Sequence, residues 1–239
     1  MNLFSFAGDL LHLASIIIIL LKIFTLRSCK GISLKTQFLY ALVFITRYLD
    51  LFWNFASMYN WVMKIVFIAS SCAIVYLMGF KSPYKETYQK EKDTFKLYYL
   101  VVPCAILALV INEVFWVSEV PNKHGVVHHH SYFYYFSEIL WTFSVYLEAV
   151  AIVPQLFMVH AVARESGGFV EALTADYVFT LGGYRVMYLL NWLYRFATEA
   201  HYRNWIVWVA GIVQTAIYGD FFFYYAKARM SGQKMSLPI

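Results

Sequence analysis

The stretch YRVMYLLNWLYRF, residues 184–196, is apolar enough for the middle of a membrane helix, yet it carries Arg185 and Arg195. At about 100° per residue on a helix, Tyr184, Arg185, Tyr188, Asn191, Trp192 and Arg195 fall within an arc of about 120°. These polar side chains form one stripe and share one environment. A helix of this kind turns one face to a polar interior and the rest to lipid.

The rest of the chain agrees. Of 239 residues, 61% are hydrophobic and only 14% charged, which is too apolar for a water-soluble domain of this size. Crossing a hydrocarbon core of about 30 Å takes about 20 helical residues. Apolar runs of that length lie near 3–24, 37–59, 61–80, 97–117, 135–160, 176–197 and 204–226. The predicted fold is an all-α membrane protein, a single bundle of seven transmembrane helices. No basic residue precedes the first run, and Lys22, Arg27, Lys30 and Lys35 follow it, so it reads as a retained span and not as a cleaved signal. The first, third and fifth connections and the tail 227–239 hold thirteen Lys and Arg, against Lys64, Lys123 and Arg203 on the other side. The positive-inside rule therefore predicts a luminal N-terminus and a cytosolic C-terminus.

The net charge of +5 is explained by those flanks and gives no reason to invoke nucleic acid. Cys29, Cys72 and Cys104 form no CxxC pair, so neither a disulfide framework nor a thiolate metal site is expected. His124, His128, His129 and His130 lie in a long polar connection without spaced acidic partners, and they read as a solvated loop, not as a metal site. No cofactor is expected.

The polar segment KSPYKETYQKEKDTFK, residues 81–96, divides the spans into three, one and three. RYLDLFWN at 47–54 echoes RVMYLLNW at 185–192, each in the second span of its triplet. Residues 1–80 are predicted as a first three-helix repeat, 97–117 as a linker helix and 135–226 as a second repeat, because an odd linker restores the orientation of the second triplet.

Charge recurs inside other spans. Arg47, Asp50 and Asn54 share a face, as do Glu138, Trp141, Glu148 and Gln155, and Ser5, Asp9 and His12. Six ionisable residues within spans (Arg47, Asp50, Glu148, Arg185, Arg195 and Asp220) imply a gross insertion penalty of roughly 15–20 kcal/mol. The three arginines are expected to face Asp50, Glu148 and Asp220. Such a set either braces the bundle through ion pairs or lines a polar cavity for a ligand carrying both signs of charge. Guanidiniums suit carboxylates, Asp50 and Glu138 suit a cation, and Trp141 offers it a π-face. His12 titrates between pH 5 and 8.

TRYLDLF at 46–52, WTFSVYLEAVAIVPQLFM at 141–158, YRVMYLLNWLYRF at 184–196, VQTAIYGDFF at 213–222 and the ending SLPI closely resemble the KDEL receptor family, the ER lumen protein-retaining receptors. VPQL also resembles the PQ-loop and SWEET-like transporter architecture. The resemblance implies a Golgi receptor, not an enzyme, that binds escaped ER residents by a C-terminal Lys-Asp-Glu-Leu or His-Asp-Glu-Leu signal and returns them to the ER. It gives the peptide's terminal carboxylate to Arg47, the signal's basic residue to Asp50, Glu138 and Trp141, and its acidic residues to Arg195. Tyr188, Asn191 and Trp192 match further cavity positions. His12, Glu148, Tyr184 and Arg185 match a network coupling protonation to capture. Asp220 matches an aspartate of the return journey, and Lys234 is what this tail keeps of a lysine cluster that engages a cytosolic vesicle coat. Ser5 stands where the family commonly has an arginine, so the cavity carries one positive charge fewer. The alternative reading is a secondary transporter for a small polar solute. A G-protein-coupled receptor is disfavoured, since neither a DRY-type nor an NPxxY motif is present.

Overall fold

The computed structural model describes residues 2–52, 55, 57–116, 132–199 and 205–238. The helices are α1 (Leu3–Leu26), α2 (Leu34–Arg47), α3 (Met58–Gly79), the single turn α4 (Tyr84–Thr87), α5 (Tyr98–Trp116), α6 (Tyr132–Val150), α7 (Val153–Glu165), α8 (Ala172–Thr198) and α9 (Trp205–Ser231). Their starts are set by short polar side chains. Asn2 and Ser5 form a reciprocal capping box on α1, Ser33 accepts from the Thr36 N–H on α2, and Ser57 accepts from the Asn60 N–H on α3. Four helical stretches, Leu3–Leu26, Met58–Gly79, Tyr135–Glu165 and Trp205–Ser231, are long and apolar enough to cross a membrane, and Tyr98–Asn112 is a shorter apolar helix. The protein is therefore membrane-embedded and, among the described residues, all-helical apart from one isolated β-bridge.

Two helices depart from the expected runs. The run at 37–59 stops being α-helical at Arg47 and tightens into a 3₁₀ turn over Leu49–Phe52. At about 21 Å, α2 is too short to cross by itself, and Arg47 occupies its last turn, where a cation meets the free carbonyls. The run at 135–160 is broken at 151–152, because Pro154 has no N–H to give and sits in the first turn of α7. Beyond that break Gln155 turns to α2, as Glu148 does, but at the other end of that helix. Its side chain accepts from the Ser33 N–H (2.8 Å) and donates to the Gly31 carbonyl (2.7 Å), while its own N–H reaches Thr36 Oγ1 (2.9 Å).

The bundle is assembled around α1 on α8 and α2 on α6. Glycines permit the closest approaches: a Cβ on Gly8 would meet the Tyr188 ring at 2.9 Å, and one on Gly182 would meet Phe222 at 2.5 Å. Ile19, Ile23, Leu39, Val43, Leu147, Ile152 and Val178 are fully buried between these layers.

At the basic end, buried polar groups tie the connections down. Lys22 belongs to the α1 core and not to its flank. Its ammonium donates to the Lys30 carbonyl (2.6 Å), Glu171 Oε2 (2.6 Å) and Thr174 Oγ1 (2.5 Å), which uses all three of its protons. Asp93, also buried, accepts from Ser33 Oγ, the Lys35 N–H and the Tyr88 hydroxyl. The tail returns along residues 168–170: the Val170 N–H reaches the Met235 carbonyl (3.0 Å), the Leu237 N–H reaches the Gly168 carbonyl (2.9 Å), and Met235 and Leu237 are buried.

Candidate ligand-binding site

Three helices converge on one carboxylate. Glu148 on α6 is 3% exposed and sits between two guanidiniums, Arg47 from the end of α2 and Arg185 from the middle of α8. Arg185 Nη2 lies 2.5 Å from Glu148 Oε2, and the Tyr184 hydroxyl donates to Oε1 at 2.5 Å. Two cations on one buried anion leave a net positive charge in a low-dielectric interior, where a further acceptor is strongly favoured. The unsatisfied donors follow that logic: Arg47 Nη2, Arg185 Nε and Gln214 Nε2 are buried without a hydrogen-bond partner among the described residues. Arg47 gives Nε to Ser144 Oγ (3.0 Å) and Nη1 to Glu148, so its free edge is Nη2.

His12 is buried against this network and is not among the residues lining the two cavities beside it. Its ring stacks on Tyr184 (centroids 4.4 Å apart) and on Phe67 (4.6 Å). Through that stack His12 touches Tyr184, which in turn donates to Glu148.

Two cavities open beside the network. The larger, about 490 Å³, is lined by Arg47, Asp50, Glu138 and Trp141, together with Tyr48, Asn60 and Lys64. Four residues that the sequence assigned to ligand binding thus share one wall. The smaller, about 280 Å³, is lined by Ser5, Asp9, Tyr59 and Tyr188, and it shares Tyr48, Asn60 and Lys64 with the first. Here Asp9 accepts from the hydroxyls of Tyr188 (2.5 Å) and Tyr59 (2.8 Å). Asn191, buried, accepts from Asn2 Nδ2 (2.8 Å), and Trp192, buried, lies 5.8 Å beneath the Arg185 guanidinium and packs against Gly211. Arg195 is not among the residues lining either cavity. Its side chain is 40% exposed and is paired in a forked geometry with Glu199, one turn on. Nor does Asp220 face an arginine: it is exposed on α9. Lys234 is exposed beside the docked Met235. Asn54 and the four loop histidines lie outside the described residues.

Lys64 is the functional candidate that sequence reasoning missed. It was counted with the flanks, yet its side chain is only 9% exposed and its ammonium bonds both oxygens of Asp50, at 2.7 and 2.8 Å. The signal was present, since Lys64 is the only Lys, Arg, Asp or Glu in the apolar sequence of α3. Ser5 is likewise committed locally, with its hydroxyl used in the α1 capping box.

The sequence matches the ER lumen protein retaining receptor family over residues 28–195. It is 48% identical to an ER lumen protein-retaining receptor of Petunia hybrida and 50% identical to one of Drosophila melanogaster, each over 238 residues and the whole of both chains. The chain belongs to the ER lumen protein-retaining receptor family. An ER lumen protein-retaining receptor of Dictyostelium discoideum is 47% identical over 241 residues, again end to end. These relatives are receptors by name, not enzymes. Arg47, which lines the larger cavity, is thus also one of the two cations on Glu148.

Proposed function

We propose that the receptor captures the C-terminal tetrapeptide of luminal ER proteins, Lys-Asp-Glu-Leu or His-Asp-Glu-Leu, in the Golgi and carries them back to the ER. The observation that carries this reading is that Arg47, whose Nη2 is buried without a partner among the described residues, lines a cavity of about 490 Å³ together with Asp50, Glu138 and Trp141. That volume falls in the usual range for ligand pockets, roughly 300–1,000 Å³. The peptide's terminal carboxylate completes Arg47, and its basic residue meets the carboxylates of Asp50 and Glu138 and the face of Trp141. Tyr188, Asn191 and Trp192 shape the neighbouring wall. Arg195 reaches the peptide's acids by exchanging Glu199 for them.

Capture is proton-dependent in this reading. A proton on His12 adds positive charge to a network that already holds Arg47, Arg185 and Glu148 around Tyr184, and so favours an anionic ligand at lower pH. A single histidine changes affinity at most about tenfold per pH unit.

The architecture is read as seven spans in two repeats. Its support is reciprocal packing: α1 with α3 corresponds to α6 with α9, α2 with α3 to α8 with α9, and the cross-contact of α1 with α8 to that of α6 with α2. The N-terminus is luminal and the tail cytosolic, with Asp220 serving the return journey and Lys234 engaging the vesicle coat.

Purified receptor is expected to bind a synthetic peptide ending in Lys-Asp-Glu-Leu at pH 5.5 and to release it at pH 7.5, as read by calorimetry. Equal affinity at both values overturns the proton coupling. Absence of binding at either overturns the capture of the signal.

A further inference from the structure

The two cavities share three lining residues, and one of them, Lys64, is held in an ion pair. Lys64 reaches from α3 to Asp50 in the 3₁₀ turn, and Lys64, Tyr48 and Asn60 line both spaces. On the larger side Asp50 stands with Glu138 and Trp141, a wall that suits a ligand ammonium. On the smaller side the lining residues carry two charges, the Asp9 carboxylate and the Lys64 ammonium. An acidic side chain entering there meets Asp9, so it is accepted only where Lys64 turns towards it. While Lys64 is bound to both oxygens of Asp50, two of its three donors and the balance of its charge are committed there.

Resting on the peptide-capture reading above, we propose that Lys64 is an exchangeable cation: the signal's basic residue takes its place on Asp50, and the released ammonium pairs with an acidic side chain of the same peptide in the second cavity. One internal ion pair is replaced by two between receptor and ligand. The four-carbon stem of lysine and its freely rotating donors suit it to such a swing. The exchange makes recognition of the two ends of the signal interdependent, so a ligand with the acids but no base finds Lys64 occupied. In this chain Ser5 supplies no charge to the second cavity, which leaves the task to Lys64.

The test is a square of four synthetic peptides, ending in Lys-Asp-Glu-Leu, Ala-Asp-Glu-Leu, Lys-Asn-Gln-Leu and Ala-Asn-Gln-Leu, titrated into the full receptor at pH 5.5. Neutralising the acids is expected to cost about tenfold more affinity when lysine leads than when alanine leads, the value of one charge-assisted hydrogen bond. Losses that simply add, with the first peptide binding, overturn the exchange and leave the capture reading standing. If none of the four binds, the capture reading falls and takes the exchange with it. Lys64→Met is expected to abolish the interdependence and Lys64→Arg to keep it. Interdependence that survives Lys64→Met assigns it to another group and overturns the proposal, and the native square decides the matter even where the variant does not fold.

Discussion

At the scale of residues, the arrangement turns on one carboxylate shared by two guanidiniums. Arg47 is bound twice by protein and still presents a free donor. Arg47→Ala is expected to lower peptide affinity about thirtyfold or more, since truncating one partner of a hydrogen-bonded charge pair costs upwards of about 2 kcal/mol. It should also erase the preference of the native receptor for a free over an amidated C-terminus; a variant that still discriminates between the two peptides assigns the carboxylate elsewhere. Glu148→Gln removes the one anion that Arg47 and Arg185 share, and leaves a buried and a half-buried cation without it. Unfolding in detergent is expected to fall by about 3–5 kcal/mol, a Tm loss on the order of 10 °C. An unchanged Tm shows that water reaches this carboxylate. Much of this was legible beforehand: helical phase put Arg185 and Tyr184 on one stripe and Arg47 and Asp50 on another. Which acid answers which base was not, because pairing depends on distances across helices. Glu148 took two arginines, Asp50 took a lysine, and Asp220 took none of the three.

At the scale of elements, the lengths of the helices matter more than their number. The early end of α2 and the tight turn after it turn Asp50 and Arg47 onto the same cavity. Beyond the break before Pro154, Gln155 bonds the start of α2 at the basic end. Apolar length predicted both runs but overran both interruptions, since a 3₁₀ turn and a proline-initiated helix are as hydrophobic as the helix they interrupt. The loop 81–97 is held by Asp93, whose three hydrogen bonds secure the start of α2 and Tyr88, and Thr87 beside it accepts from the Cys29 N–H. Cys29 is fully buried, and burial pushes its thiol up, so little thiolate forms at neutral pH. Alkylation of Cys29 by iodoacetamide at pH 7.5 is therefore expected to be slow in the native receptor and several-fold faster in Asp93→Asn. Equal rates show that the loop does not depend on Asp93.

At the scale of the molecule, the orientation is open to direct test. A sequon placed among residues 117–131 is expected to be glycosylated in microsomes, and one placed among residues 82–92 is not; the reverse pattern inverts the bundle. The contacts of α1 with α8 and α2 with α6 bring polar faces of distant helices together, which is why charges 101 residues apart in sequence meet. Composition and apolar run length sufficed for an all-helical membrane protein, because lipid imposes one rule on every residue it touches. The stripes were equally readable, because helical phase is local, and so was the family, because its motifs are contiguous. Folding in three dimensions decided that Lys64 is buried on Asp50, that Arg195 turns to Glu199 and that His12 is sealed between rings. Those outcomes depend on where helices stop and how closely they pack, and both are set by contacts between residues that local pattern does not relate.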